Sequence, residues 1–233
     1  MKMKTYGTYE EMSDVAAEVF AEQIRIKPDC VLGLATGSTP IGTYQRLVEM
    51  NKKGEISFAK VRTANLDEYV RLPPEHDQSY RYFMQENLFN HVDIKPENTH
   101  LPSSTSSDED CVKYDELVAG LGGVDLFFLG IGHNGHIGFN EPDEHFTLPT
   151  HKVALTESTI RANSRLFAGG MDEVPREAIT MGIGGIFAAK KIILLAGADK
   201  AEIVKQAFTG PITPKVPASI LQLHQDITVM YVE

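Results

Sequence analysis

Two histidines, two amides and a carboxylate crowd among glycines in the run Gly130-Ile131-Gly132-His133-Asn134-Gly135-His136-Ile137-Gly138-Phe139-Asn140-Glu141-Pro142. A histidine oriented by a neighbouring acid can carry protons near neutral pH, and this run supplies both partners. A metal site is a second reading, because His133 and His136 are three residues apart and Glu141 follows. The run has no helical His-Glu-x-x-His, however, and its glycines disfavour the helix that such a motif needs. A plain glycine-rich loop with exposed histidines is the third reading.

Three further clusters offer complementary chemistry. Asp67 and Glu68 stand together in Ala64-Asn65-Leu66-Asp67-Glu68-Tyr69. Adjacent side chains of an extended chain point to opposite sides, so at most one of these acids faces a site directly. The run Leu34-Ala35-Thr36-Gly37-Ser38-Thr39-Pro40-Ile41-Gly42 reads as a strand, a small-residue turn and a helix start. Thr39 is placed to cap that helix, with Pro40 in its first turn. Free backbone N–H groups at such a start suit a phosphate, although the run is neither a Walker A loop nor a Gly-x-Gly-x-x-Gly fingerprint. Arg165 and Lys200 add a forked guanidinium and a point charge that would suit a phosphate dianion. Either one alone is also an ordinary solvated surface charge.

The elements that must hold these residues follow from hydrophobic patterning. Apolar runs at 30–35, 63–66, 124–131, 178–183, 191–195 and 227–232 alternate with amphipathic stretches near 9–26, 40–53, 79–90, 108–121, 199–208 and 217–223. This alternation predicts an α/β fold, a doubly wound, mostly parallel sheet with helices on both faces, as one Rossmann-like three-layer domain over residues 1–233. Ligands bind such sheets outside the carboxyl ends of the strands. The candidate residues fall at those ends.

Thirty-two acidic against twenty-two basic residues give a net charge of −10. That balance argues against nucleic acid as a partner, and it obliges any site for an anion to supply its own local positive charge. No run of about 18 apolar residues is present to span a bilayer, and residues 1–7 do not lead into an apolar core with a small-residue cleavage site, so no signal peptide is expected. Cys30 and Cys111 have neither a nearby cysteine nor a metal-type spacing. Reduced thiols and a cytoplasmic location are expected.

Taken together, the clusters resemble glucosamine-6-phosphate deaminases over almost the whole chain. The resemblance rests on Thr36-Gly37-Ser38-Thr39-Pro40, Asn65-Leu66-Asp67-Glu68-Tyr69, Gly135-His136-Ile137-Gly138-Phe139-Asn140-Glu141-Pro142, Ala162-Asn163-Ser164-Arg165 and Leu221-Gln222-Leu223-His224, in that family's order and approximate spacing. It implies conversion of a small sugar phosphate, glucosamine 6-phosphate, to fructose 6-phosphate and ammonia without metal or organic cofactor. Asp67 is then the base that moves a proton between C2 and C1 of the opened sugar. His136, oriented by Glu141, opens the pyranose ring, and Ser38, Thr39, Arg165 and Lys200 hold the 6-phosphate. Asn134 stands where some members carry Asp; an amide cannot stabilise an imidazolium with charge, so His136 would rely more on Glu141. A stretch at about 156–175, which includes Arg165, is expected to form a mobile lid.

Two rivals differ at named positions. The 6-phosphogluconolactonases tend to carry Asp-Glu-Arg at Asp67-Glu68-Tyr69, and Gly-His-Thr-Ala-Ser-Leu-Phe-Pro at residues 135–142. A non-catalytic sugar-phosphate sensor normally adds an N-terminal helix-turn-helix, whereas residues 1–28 read as one helix. Larger deaminases resemble this chain up to Pro142 and then place a Ser pair, an Arg and a Lys around an effector phosphate. The corresponding positions here are Glu144, His145, His151 and Val153. An anionic Glu144 and a missing lysine predict no effector activation, hyperbolic kinetics and a monomer or small homo-oligomer.

Overall fold

Leu126, Phe127, Phe128 and Leu129 are fully enclosed although they are consecutive, which a strand permits only when both faces of its sheet are covered. A computed structural model describes residues 1–104, 107–164, 167 and 169–233, apart from the side chains of Ser158 and Ala162. In chain order the elements are β1 (Lys2–Tyr6), α1 (Tyr9–Ile26), β2 (Val31–Leu34), α2 (Ile41–Lys52), β3 (Arg62–Asn65), β4 (Asp67–Tyr69), α3 (Tyr80–Asn87), β5 (Thr99–His100), α4 (Asp108–Gly120) and β6 (Leu126–Gly130). There follow β7 (His151–Ala154), α5 (Glu157–Ser164), β8 (Glu177–Thr180), α6 (Ile183–Phe187), β9 (Ile192–Ala196), α7 (Ala201–Thr209) and β10 (Ile227–Val232).

Seven strands form a parallel sheet in the order β1-β10-β9-β6-β2-β3-β5. Side chains alternate across it. Phe127, Leu129, Ile192 and Leu194 pack with residues of α4, α6 and α7, while Leu126, Phe128, Ile193 and Leu195 pack with α1, α2 and α3. Each such side chain contributes about 1.5–3 kcal/mol on burial, so the two-sided core fixes the strands whose ends carry the site. The expected three-layer α/β sandwich is the architecture found.

Several elements differ from expectation. Residues 178–183 do not add a strand to the main sheet. Their N-terminal part enters β8, which lies between β4 and β7 in a separate antiparallel sheet. An apolar run says that a strand is buried, not which sheet buries it; here Ala178 packs with Tyr69, Phe139 and Phe167. β1 supplies an unforeseen edge beside β10. Residues 217–223 form a 3₁₀ segment in place of the expected helix, since Pro217 and the short span favour the tighter turn.

Candidate active site

Strands β9, β6, β2 and β3 are neighbours, and the chain runs outward from β2 through β3 to β5 before returning to β6 and on to β9. The strand order therefore reverses between β2 and β6, where an open α/β sheet leaves a crevice. A cleft of about 500 Å³ lies at this point, and Ser38, Thr39, Asp67, His136 and Lys200 all line it.

Asp67 opens β4, two residues beyond the end of β3, and pairs with Thr180 of β8. It is only 7% exposed. Burial, reinforced by the neighbouring charge of Glu68, pushes its pKa up to about 8. The loop carrying His136 passes close above it through Gly138, whose φ is +58°. A Cβ there would stand 2.8 Å from Thr180 Oγ1 and 3.3 Å from Asp67 Oδ2. Glu68 points away, as alternation requires. Its Oε1 accepts the N–H groups of Tyr69 (2.8 Å) and Tyr80 (3.0 Å), and its Oε2 accepts that of Arg81 (2.9 Å). It thereby closes the N-terminus of α3 beside the N-cap Ser79, a favourable place for a carboxylate. Burial still raises its pKa against the pull of those three donors.

The loop after β6 turns back on itself as Gly132 N–H donates to the His136 carbonyl at 2.9 Å. The imidazole lies directly against Gly132, where a Cβ would fall among the ring atoms. Glu141 stands behind the ring. Its Oε2 accepts Asn134 Nδ2 at 2.6 Å, and its Oε1 accepts Thr159 Oγ1 at 2.9 Å. Asn134 Oδ1 in turn accepts His136 N–H at 3.2 Å, so these bonds place Asn134 against Glu141 and the backbone. His136 Nδ1 is 3.4 Å from Glu141 Oε1, a charge contact without the alignment of a hydrogen bond, and it has no other partner among the described residues. Burial opposes ionisation of Glu141, but His136, Asn134 and Thr159 together outweigh it and hold the pKa at about 2. His133 goes elsewhere: its Nε2 meets Asp199 Oδ2 at 2.8 Å on the exposed surface. The two histidines do not converge as a metal site would require.

At the other end of the cleft, Gly37 takes a φ of +91° and the turn runs into α2. Thr39 does not cap this helix. Pro40 occupies the N-cap position with no side-chain cap bond, and the capping hydroxyl comes from Tyr9 of α1. Tyr9 Oη accepts Gly42 N–H at 2.8 Å and lies 3.1 and 3.0 Å from the carbonyl oxygens of Ser38 and Thr39, to which its own proton is shared. Lys200 sits where a 3₁₀ turn meets α7. Burial lowers its pKa, partly offset by Asp199. Such a half-buried cation suits an anion. Arg165, the other expected cation, lies outside the described residues.

Sequence reasoning did not single out Tyr9, Thr159 or the aromatic wall of the cleft. Tyr69 packs on Tyr80 and Phe139 with ring centroids 4.9 and 5.8 Å apart, and its hydroxyl accepts Asn163 Nδ2 at 2.7 Å. The available signal for this wall was Asp67-Glu68-Tyr69 itself, since Tyr69 must share a strand face with Asp67.

The model of the family glucosamine-6-phosphate isomerases/6-phosphogluconolactonase matches residues 7–230. A glucosamine-6-phosphate deaminase of Lachnoclostridium phytofermentans is 56% identical over 233 residues, 99% of this chain and 98% of that one. One from Clostridium perfringens is 52% identical over 230 residues, 97% of this chain and 95% of that one. A solved structure of a monomeric glucosamine-6-phosphate deaminase, 44% identical, matches with a TM-score of 0.96 over 100% of this chain and 98% of its own. A 6-phosphogluconolactonase from Thermotoga maritima shares the fold, with a TM-score of 0.76 over 99% of both chains, at only 19% identity. The chain therefore belongs to the glucosamine-6-phosphate isomerase/6-phosphogluconolactonase family, and within it to the glucosamine-6-phosphate deaminases.

Proposed function

We propose that this chain converts glucosamine 6-phosphate and water to fructose 6-phosphate and ammonia in the cleft at the β2/β6 switch point. The observation that carries this reading is the pairing of functions in one cleft. A buried carboxyl poised near pH 8 and an imidazole backed by an ionised Glu141 share it with an anion-binding end. His136 takes the proton of the anomeric hydroxyl and returns one to the ring oxygen, which opens the pyranose to an aldehyde. The C2 hydrogen is then acidic. Asp67 removes it to form an enolamine and delivers a proton to C1, which leaves an iminium at C2. Water adds to that carbon, and collapse of the adduct to the ketone expels ammonia. Asn134 holds Glu141 in place behind His136. The chemistry needs neither metal nor nicotinamide.

Ser38, Thr39, Lys200 and Arg165 are assigned to the 6-phosphate. Lys200→Ala should lower kcat/KM for glucosamine 6-phosphate by about 10- to 150-fold, the equivalent of about 1.5–3 kcal/mol for a charged hydrogen bond. Steady-state kinetics check this, and unchanged constants would remove Lys200 from the site. Residues 156–175 are assigned to a lid, which substrate-dependent protection from hydrogen exchange would reveal. A cytoplasmic monomer is the expected form, consistent with the monomeric relative; no helix among the described residues is long and apolar enough to cross a membrane. Effector activation is not expected, because the Glu144 carboxylate is ion-paired with Lys215 where an effector phosphate would need cations.

The deciding assay measures ammonia and fructose 6-phosphate from glucosamine 6-phosphate after exhaustive chelation, with 6-phosphogluconolactone as the comparison substrate. Equimolar products from the amino sugar are expected. Hydrolysis of the lactone without ammonia release would place the chain's activity with the lactonases instead.

A further inference from the structure

Glu141 is held by donors from two different parts of the chain. Asn134, on the same loop as His136, fixes Oε2 at 2.6 Å. Thr159, on α5, fixes Oε1 at 2.9 Å. A carboxylate held at one oxygen can still swing about that bond, and a second donor on the other oxygen fixes its plane. Oε1 is also the atom that faces His136 Nδ1 at 3.4 Å, and that nitrogen is enclosed with no bonded partner among the described residues. An enclosed imidazole nitrogen left without a partner is costly, so a small approach that completes the His136–Glu141 bond is favourable. Oε1 has two acceptor sites. Thr159 occupies one and leaves the other for the imidazole.

The direction of the proton on Thr159 follows from its neighbours. Thr156 Oγ1 and Thr159 Oγ1 are 3.0 Å apart. An ionised carboxylate only accepts, so the single proton of Thr159 goes to Glu141 and Thr156 must be the donor to Thr159. Hydroxyls chained in this way polarise one another toward the carboxylate. One turn further along α5, on the same helix face, Asn163 donates to the hydroxyl of Tyr69 at 2.7 Å. Tyr69 lies two residues from Asp67 in β4. One face of α5 thus touches the group behind His136 and the strand that carries Asp67.

We propose that Thr159 is a positioning residue for ring opening: its hydroxyl, brought by α5, orients the Glu141 carboxylate toward His136, so that the proton shuttle is complete only when α5 is seated. The inference rests on the assignment of His136 and Glu141 to ring opening. It makes the first chemical step depend on a helix that is neither the strand bearing Asp67 nor the loop bearing His136.

Thr159→Val keeps the side-chain shape and removes the donor, whereas Thr159→Ser keeps the donor. The test compares kcat and KM of both variants on glucosamine 6-phosphate and on an open-chain analogue lacking both the 4- and 5-hydroxyls, which can close neither a furanose nor a pyranose ring. Val should lower kcat on the cyclic sugar about tenfold, with KM and the kcat on the analogue within about twofold of wild type. Ser should restore most of the loss. Equal losses on both substrates, no loss on the cyclic sugar, or failure of Ser to restore it would each overturn the proposal. Thr159→Ala, judged by the same comparison, replaces Val if Val does not fold. His136→Gln run alongside separates the two levels. If it too costs both substrates equally, the ring-opening assignment fails and the Thr159 proposal falls with it; if only Thr159→Val does so, the proposal alone is wrong.

Discussion

Asp67→Asn is expected to lose about 10²–10⁴ in turnover, the usual contribution of a placed general base, and at the same time to unfold at a higher temperature than the wild type. Both effects have one cause. The carboxyl is nearly enclosed, and no hydrogen-bond donor or cation among the described residues offsets its burial, which puts its pKa near 8. Its value in the unfolded chain is about 4. Below that value both states hold the proton and Asp67 costs nothing. Between about 4 and 8 the unfolded chain ionises while the folded one does not, so stability falls as pH rises. Above 8 both are ionised and the full penalty, on the order of a few kcal/mol, is present. The Asn variant escapes it, so its gain in stability should be absent near pH 4 and largest above pH 8. Thermal melts at the two pH values check this; equal or lower stability of the variant at high pH would show that Asp67 is not strained by burial. Because the base must be ionised to act, kcat/KM of the wild type should rise with pH through about 8.

Gly132→Ala should abolish most activity on the cyclic sugar although Gly132 itself supplies no reacting atom. A Cβ at residue 132 would fall among the ring atoms of His136. The backbone cannot yield easily, since Gly132 N–H is bonded to the His136 carbonyl, so the imidazole must leave its place in front of Glu141. The loss should approach that of His136→Gln, about 10²-fold or more, while the open-chain analogue retains most of its rate. A fully active Gly132→Ala enzyme would mean that the imidazole position has no bearing on the reaction.

Much of the cleft was legible because its chemistry lies in contiguous runs at strand ends. Asp67 and Glu68 diverge as alternation requires, and the small-residue turn and the histidine loop fall on the neighbouring strands β2 and β6. What sequence patterning missed depends on packing between distant segments. Tyr9 supplanted Thr39 as the cap of α2 from 33 residues away, and Thr159 reaches Glu141 across 18 residues. Neither spacing follows a local periodicity. The antiparallel sheet of β4, β8 and β7 escaped for a similar reason: strands of three or four residues carry too little pattern to reveal partners. The amphipathic stretch near 199–208 begins ahead of α7, because Ala198–Lys200 forms a 3₁₀ turn and helix starts shift by a residue or two where such a turn precedes them.

The central claim, proton transfer by Asp67 on glucosamine 6-phosphate, is tested most directly with substrate deuterated at C2. The wild type should move the label off C2, either to C1 of fructose 6-phosphate or into solvent, as ammonia is released. Substrate recovered from Asp67→Asn, at concentrations where binding is saturated, should keep its label at C2. Loss of that label by the variant at the wild-type rate would contradict the account.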